Sequence, residues 1–203
     1  MLYGWIIHPI TMQSLATRRL ALLTILSSLC IVLQIGPRPI PNVEFTSLFV
    51  FFVGAAFGVF IGGALGVIVM IINGFLSPWG FAGLMLPFQI AGMFIVGITG
   101  ALYARSKKGV YSPTSCVETA VLGAFLTLVY DIITNTGVAI SLVLAGTPTL
   151  TAFVTSFVLG APFSLIHVLS NVGVFMVAFF PLTRVLQQFF GGENAWRKAS
   201  LPT

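Results

Sequence analysis

The sequence predicts an all-α membrane protein, a compact bundle of six transmembrane helices with both termini on the cytoplasmic side. Three observations carry this expectation. Only 6% of the 203 residues are charged, 58% are hydrophobic and the mean hydropathy is +1.09, which excludes an ordinary soluble domain and leaves no segment polar enough for a separate one. Apolar runs bounded by charges, prolines and glycines divide the chain into six segments. Basic residues gather at segment ends in three clusters: Arg18 with Arg19, Arg105 with Lys107 and Lys108, and Arg184 with Arg197 and Lys198. All three lie on one side of the membrane only if an even number of crossings separates each pair, as the positive-inside rule requires. The whole chain, 1–203, is therefore expected to be a single integral membrane domain, with about 20–182 in the bilayer.

The opening MLYGWIIHPITM has neither a positive start nor a small-residue cleavage site, so it is expected to be an interfacial lead-in, not a signal peptide. The first crossing is expected at Leu20–Ile35. The connection that follows, Gly36–Glu44, reads GPRPIPNVE; its three prolines prevent a helix and favour an extended or turned path. The run from Phe45 to Ile72 carries no charge and is too long for one crossing, since about 20 apolar residues span the hydrocarbon. It divides into crossings at Phe45–Val59 and Phe60–Gly74, with the double glycine Gly62-Gly63 as the expected place of the turn. Gly54, Gly58, Gly62 and Gly66 recur there every fourth residue, a spacing that lines one helix face and lets backbones approach closely in lipid. Treating Phe45–Gly74 as one crossing would put Arg105, Lys107 and Lys108 outside.

The remaining crossings are expected at Leu86–Tyr103, Val117–Ala145 and Thr151–Leu182. The last two exceed the spanning length, so they must tilt, bend or project beyond the bilayer. Pro162, after Gly160 and Ala161, is the expected bend. Ser115-Cys116-Val117-Glu118 has the spacing of a capping box, which predicts a helix start there.

Several function classes drop out. The formal charge of +5 is spread over segment ends and not gathered in a stripe with interleaved aromatics, so nucleic acid is not an expected partner; the lipid bilayer is. Cys30 and Cys116 fall at different depths, which argues against a disulfide, and with only His8 and His167 besides them a structural zinc site has too few ligands. The chain contains no G-x-S-x-G, H-E-x-x-H or P-loop. No catalytic residue, cofactor or metal is assigned, and an enzyme is not expected. Lacking an ATP-binding motif, the chain can drive uptake against a gradient only with an ion couple or a partner.

What remains is a set of polar residues inside the bundle. Asp131 and His167 lie in the last two long segments, roughly 20–25 Å below their outer ends at 1.5 Å per residue, so their depths match. Asn135 and Asn171 follow four residues after them, placing each polar pair on one helix face. A central Asp facing lipid costs about 2.5–3.5 kcal/mol on insertion scales, so these groups should face the bundle interior. A structural polar clasp between the two helices would explain that pair. It explains less well why Asn73 and Gln89 also lie near the outer ends of their helices, beside Trp79, or why Glu44 closes the proline-rich connection. Convergence from several helices describes a pocket open to the outside, although Trp79 alone reads equally as an interfacial anchor, Asn73 as a helix-end cap and Tyr130 as core.

Pro41-Asn42-Val43-Glu44, the glycine-rich F-x-x-G-A-A-F-G-x-F-x-G-G-A-L-G, Asn73-Gly74, Pro78-Trp79-Gly80 and Pro87-Phe88-Gln89 together resemble the substrate-binding S components of energy-coupling factor (ECF) transporters. Tyr130-Asp131-x-x-Thr134-Asn135-x-Gly137 and His167-x-x-x-Asn171 look like the later helices of the same group. The resemblance covers roughly Leu20 to Leu182. It implies a multi-pass protein of a bacterial or archaeal plasma membrane that captures a small-molecule vitamin or related micronutrient. It further implies a separate transmembrane coupling subunit and two cytoplasmic ATPases as partners. The family's alanine-x-x-x-alanine face on the first helix has its nearest match at Thr24 and Ser28, where Thr and Ser replace the alanines and small-x-x-x-small packing is kept. The substrate-binding set it implies is Glu44, Asn73, Trp79, Gln89, Asp131, Asn135, His167 and Asn171. A stand-alone transporter driven by protonation of Asp131 and a purely structural membrane subunit are the competing readings.

The expected topology is testable by cysteine labelling from outside intact cells. A cysteine at Asn42 or Thr147 should be modified and one at Ser106 should not; the reverse pattern would overturn both the topology and the outward pocket.

Overall fold

Hydrocarbon offers no partner to a backbone N–H or C=O, so a chain with this composition can satisfy those groups only in helices or a closed barrel. In the computed structural model, which describes residues 7–35, 43–76 and 80–190, the solution is helical. The helices are α1 (Ile7–Ile35), α2 (Thr46–Phe57), α3 (Val59–Leu76), α4 (Leu86–Ser106), α5 (Ser115–Leu144) and α6 (Thr149–Phe190), with one 3-10 turn at Gly83–Met85 before α4. Four stretches are long and apolar enough to cross a membrane: Val59–Leu76, Gly83–Ser106, Ser115–Leu144 and Thr149–Leu186. Leu20–Gln34 and Thr46–Phe57 are shorter apolar helices.

The turn between α2 and α3 lies at Gly58, not at Gly62-Gly63. Gly58 has φ 92° and ψ 177°, a backbone state that residues with a Cβ rarely adopt, so the chain reverses where only glycine is free to. Gly62 and Gly63 are instead buried inside α3. The glycine ladder consequently lines no single helix. Gly54 belongs to α2, Gly62 and Gly66 to α3, and Gly58 is the joint between them.

Those glycines are where the backbones meet. A Cβ added to Gly54 would overlap the carbonyl oxygen of Gly97 in α4; one on Gly62 would meet the Cα of Gly54 and, at 2.8 Å, the same Gly97 oxygen; one on Gly100 would overlap the carbonyl of Phe51. Three helices thus touch main chain to main chain around one point. Close approach of this kind supplies the dispersion and polar contact that drive helix association in lipid. As a result α2 is enclosed on all sides, with every residue from Thr46 to Ala56 buried, as expected of a helix that is apolar all round. At twelve residues it is about 18 Å long, well short of the roughly 30 Å hydrocarbon thickness.

α1 buries Leu23, Ser27, Cys30 and Gln34, a stripe at helical spacing, and leaves Thr24, Ile25, Ser28, Leu29 and Val32 exposed on the other side. The hydroxyls of Thr24 and Ser28 donate back to the carbonyls of Leu20 and Thr24, at 2.9 Å each. α6 is helical without interruption through both Pro162 and Pro181. Its 42 residues reach about 63 Å, so it projects beyond the bilayer.

The capping box does not form. Thr114 precedes the helix with no side-chain cap, and Ser115, already in the first turn, turns its hydroxyl back to accept from the Ser112 N–H at 3.2 Å. Glu118 reaches across to α4, where it pairs with Lys107 at 2.6 Å and accepts from the Tyr103 hydroxyl at 2.9 Å. A charged and a phenolic partner outcompete an exposed backbone N–H that water can satisfy. At this end of the bundle Phe51, Tyr103, Tyr111, Phe175 and Phe179 pack ring against ring, with centroids 5.4–6.3 Å apart.

Gly54→Ala and Gly97→Ala should each destabilise the fold by about 1–3 kcal/mol, because backbone cannot move aside for a methyl group as a flexible side chain can. At Gly173 an added Cβ meets nothing within 4 Å, so Gly173→Ala should be neutral or stabilising by about 0.5–1 kcal/mol. Thermal unfolding in detergent reads both; three equal shifts would mean that the close approach is not limiting.

Candidate functional site

α5 and α6 pack antiparallel along their length. Gly123 lies against Phe175, Asp131 against His167, and Asn135 against Gly160 and Ser156. A small residue makes room at each end of this series: a Cβ on Gly123 would strike the Phe175 ring, and one on Gly160 would meet the Asn135 carboxamide at 2.6 Å. The Ser156 hydroxyl donates to the Asn135 carbonyl at 2.6 Å, tying the helices together one turn beyond the acidic residue.

Between these contacts lies a chain of three ionisable groups. His167 Nδ1 is 2.8 Å from Asp131 Oδ1, and His167 Nε2 is 3.3 Å from Glu44 Oε1. Asp131 and His167 are buried, and Glu44, on the residues leading into α2, is only partly exposed. An ionised carboxylate can only accept, so a ring with a carboxylate at each nitrogen must hold both N–H hydrogens unless one carboxyl holds the proton instead. Either arrangement stores one extra proton in the trio. Either leaves it with a net charge of −1.

The surroundings are apolar or incompletely paired. Tyr130 sets its ring edge-on to His167 with centroids 5.8 Å apart, and its hydroxyl points to Met70 Sδ at 3.7 Å. Gly92 in α4 leaves the space for that ring, since a Cβ there would strike it. Asn171, fully buried, donates its Nδ2 hydrogen to the His167 carbonyl at 3.2 Å. Among the described residues, the buried atoms Asp131 Oδ2, Asn171 Oδ1, Gln89 Oε1, Thr46 Oγ1 and Ser170 Oγ have no hydrogen-bond partner. Such atoms are uncommon in a folded interior and ask for an explanation.

The structure thus brings Glu44, Asp131 and His167 together, with Asn171 one turn along α6 from His167. Asn135 lies nearby against Gly160. Asn73 and Gln89 are half-buried on α3 and α4, and among the described residues no hydrogen bond joins either to the trio. Trp79 lies outside the described residues, as does Asn42. Sequence reasoning missed Ser156, Thr46 and Ser170. Thr46 had a usable signal, a hydroxyl two residues after Glu44 at the head of an otherwise apolar run.

A helical membrane bundle that keeps ionisable groups buried among unpaired polar atoms has the features of a membrane binding or transport protein. The family model for the ECF transporter, substrate-specific component, matches residues 18–179, and the chain belongs to this family. No curated protein and no solved structure gave a match.

Replacing His167 by leucine would leave Glu44 and Asp131 facing each other without the ring between them. Breaking a buried pair by removing one member costs about 3–5 kcal/mol, so His167→Leu should fall markedly in thermal midpoint, while Asn135→Ala, which leaves the Asn135 carbonyl to Ser156, should lose less. Equal stability of His167→Leu and wild type would show that the two carboxyls are not held by the ring.

Proposed function

We propose that the protein is the substrate-capture subunit of an ATP-driven importer for a vitamin or related micronutrient, working in the plasma membrane of a bacterium or archaeon. Family membership carries the class, and the buried Glu44–His167–Asp131 chain with its unpaired neighbours is the observation that carries the site. The ligand is held in a pocket reached from outside. Asp131, His167 and Asn171 come from α5 and α6, Glu44 from the approach to α2, Asn135 stands one turn away, and Asn73, Trp79 and Gln89 complete the set from α3, the connection after it and α4. The protein hydrolyses no ATP itself. A transmembrane coupling subunit and two cytoplasmic ATPases supply the energy.

The exposed face of α1 supports a docking role. Thr24 and Ser28 stand outward between Ile25, Leu29 and Val32, and their hydroxyls are already satisfied by their own helix, so a partner helix can approach without leaving them unpaired. The proton stored in the trio favours a second reading, a stand-alone proton-coupled transporter.

Reconstitution separates the two. Substrate-dependent ATP hydrolysis with a coupling subunit and ATPases selects the first; uptake driven by a proton gradient without partners selects the second. Thr24→Leu with Ser28→Leu should weaken co-purification of the complex and leave ligand affinity nearly unchanged, because bulk is added on the face opposite the buried stripe. Intact assembly would mean that another face docks.

A further inference from the structure

Among the described residues, no basic side chain pairs with the trio to balance its net charge of −1. Among the described residues, Lys107 is committed to Glu118, Arg184 stacks over Phe180 with its guanidinium 5.3 Å from the ring centroid, and Arg105 and Lys108 belong to the same end of α4 as Lys107. None bonds to Glu44, Asp131 or His167. From α3, neutral Met70 meets the Tyr130 hydroxyl beside the trio. A buried charge without a partner is among the most costly features a fold can keep.

Thr46 and Ser170 leave hydroxyls that can donate or accept, whereas the unpaired atoms of Asp131 and Asn171 are acceptors. Asp131 spends Oδ1 on the ring and leaves Oδ2 free. Asn171 spends its Nδ2 hydrogen on the His167 carbonyl, which fixes the orientation of the amide, because a carbonyl can accept only from the nitrogen end. Asn171 keeps its second Nδ2 hydrogen, and its wholly unpaired atom is an acceptor, Oδ1. Both flank His167, one across the helix pair and one a turn along α6. A ligand carboxylate or phosphate here would face acceptors and a negative field. A ligand with N–H donors and a positive charge would satisfy both oxygens and cancel the charge.

Resting on the capture reading above, we infer that the ligand is a cation bearing N–H donors, a protonated amine or a cationic nitrogen heterocycle, seated against Asp131 Oδ2 and Asn171 Oδ1. The Glu44–His167–Asp131 chain is then the site's fixed negative pole. His167 acts as a positioning residue, holding the two acidic side chains at a set separation, and the proton held within the trio keeps the site from reaching −2. Selectivity against anionic vitamins follows from repulsion, without any need for steric exclusion.

The test uses the purified full chain in detergent with an equimolar mixture of thiamine, pyridoxamine, riboflavin, biotin and pantothenate, and then a whole-cell metabolite extract. Retained small molecules are identified by native mass spectrometry and titrated calorimetrically. The expected result is retention of a cation with N–H donors, an affinity weakened roughly ten- to hundred-fold by Asp131→Asn and by Asn171→Leu, and an affinity unchanged by Arg38→Ala. Arg38, which lies outside the described residues, is the nearest basic residue in sequence to Glu44 and serves as the control for a protein counter-ion. Retention of an anion or of a neutral compound, or a loss of affinity on Arg38→Ala, overturns the cation assignment and leaves the capture reading standing. Retention of nothing from mixture or extract removes the capture reading, and the inference with it. The charge of the compound retained by the wild type decides the matter even if Asp131→Asn fails to fold.

Discussion

The main-chain contact between Gly54, Gly62 and Gly97 is the constraint from which the rest of the architecture follows. Lipid gives helices no hydrophobic reason to associate, so they must gain from close packing. Three backbones can meet at one point only where no Cβ intervenes. Because they do, α2 can sit inside the bundle although, at twelve residues, it is shorter than the hydrocarbon is thick. Its leading end is then inside the bundle as well, and Glu44 arrives beside His167, near the middle of α6. A larger residue at the seam would move that carboxylate away from the ring it meets.

The trio is a poor stabilising device, which is an argument about its purpose. Buried ionic groups lose hydration that their mutual attraction rarely restores in full, and well-packed apolar residues of the same volume hold helices together as well or better. α5 and α6 already have apolar and small-residue contacts along their length, such as Gly123 with Phe175, and a neutral clasp in Ser156 with the Asn135 carbonyl. Three ionisable groups and several unpaired oxygens among the described residues add cost to a pairing that is otherwise complete. Helix pairing alone therefore does not account for them, and a binding site is the kind of place where polar groups stay unsatisfied until a ligand arrives.

Much of this was legible in the sequence, and the exceptions have physical causes. Six helices, the antiparallel last pair and the meeting of Asp131 with His167 follow from apolar run lengths and from equal depth along two long helices. The turn was misplaced because Gly58, Gly62 and Gly63 are equally permissive as residues, and only the packing of α3 on α4 decides which one adopts positive φ. The capping box at Ser115 failed for a similar reason. Its spacing is local information, whereas Tyr103 and Lys107 compete for Glu118 from another helix. Glu44 was noticed as the end of a proline-rich connection, but its reach to His167 has no periodic signal, being set by how deeply α2 is drawn in. Ser156 donates to a backbone carbonyl, a partner that every residue carries and no pattern of residue types reveals.

The division of contacts accounts for where the trio lies. α2, α3 and α4 are joined through main chain at the glycine seam, and α5 and α6 are joined to each other. Between these two groups the contacts are made by side chains: Phe51 with Phe175 and Phe179 at one end, Tyr130 with Gly92 and Met70, and Glu44 with His167. Side chains change rotamer at far less cost than packed backbones separate, so the boundary between the groups is the part of the bundle that can give without disturbing either. The trio straddles that boundary. Its Asp131–His167 link, at 2.8 Å, lies within one group, and its longer Glu44–His167 link, at 3.3 Å, runs between the two. A displacement of one group against the other therefore loads the Glu44–His167 contact first and leaves the Asp131–His167 contact, with the helix pair it ties, in place.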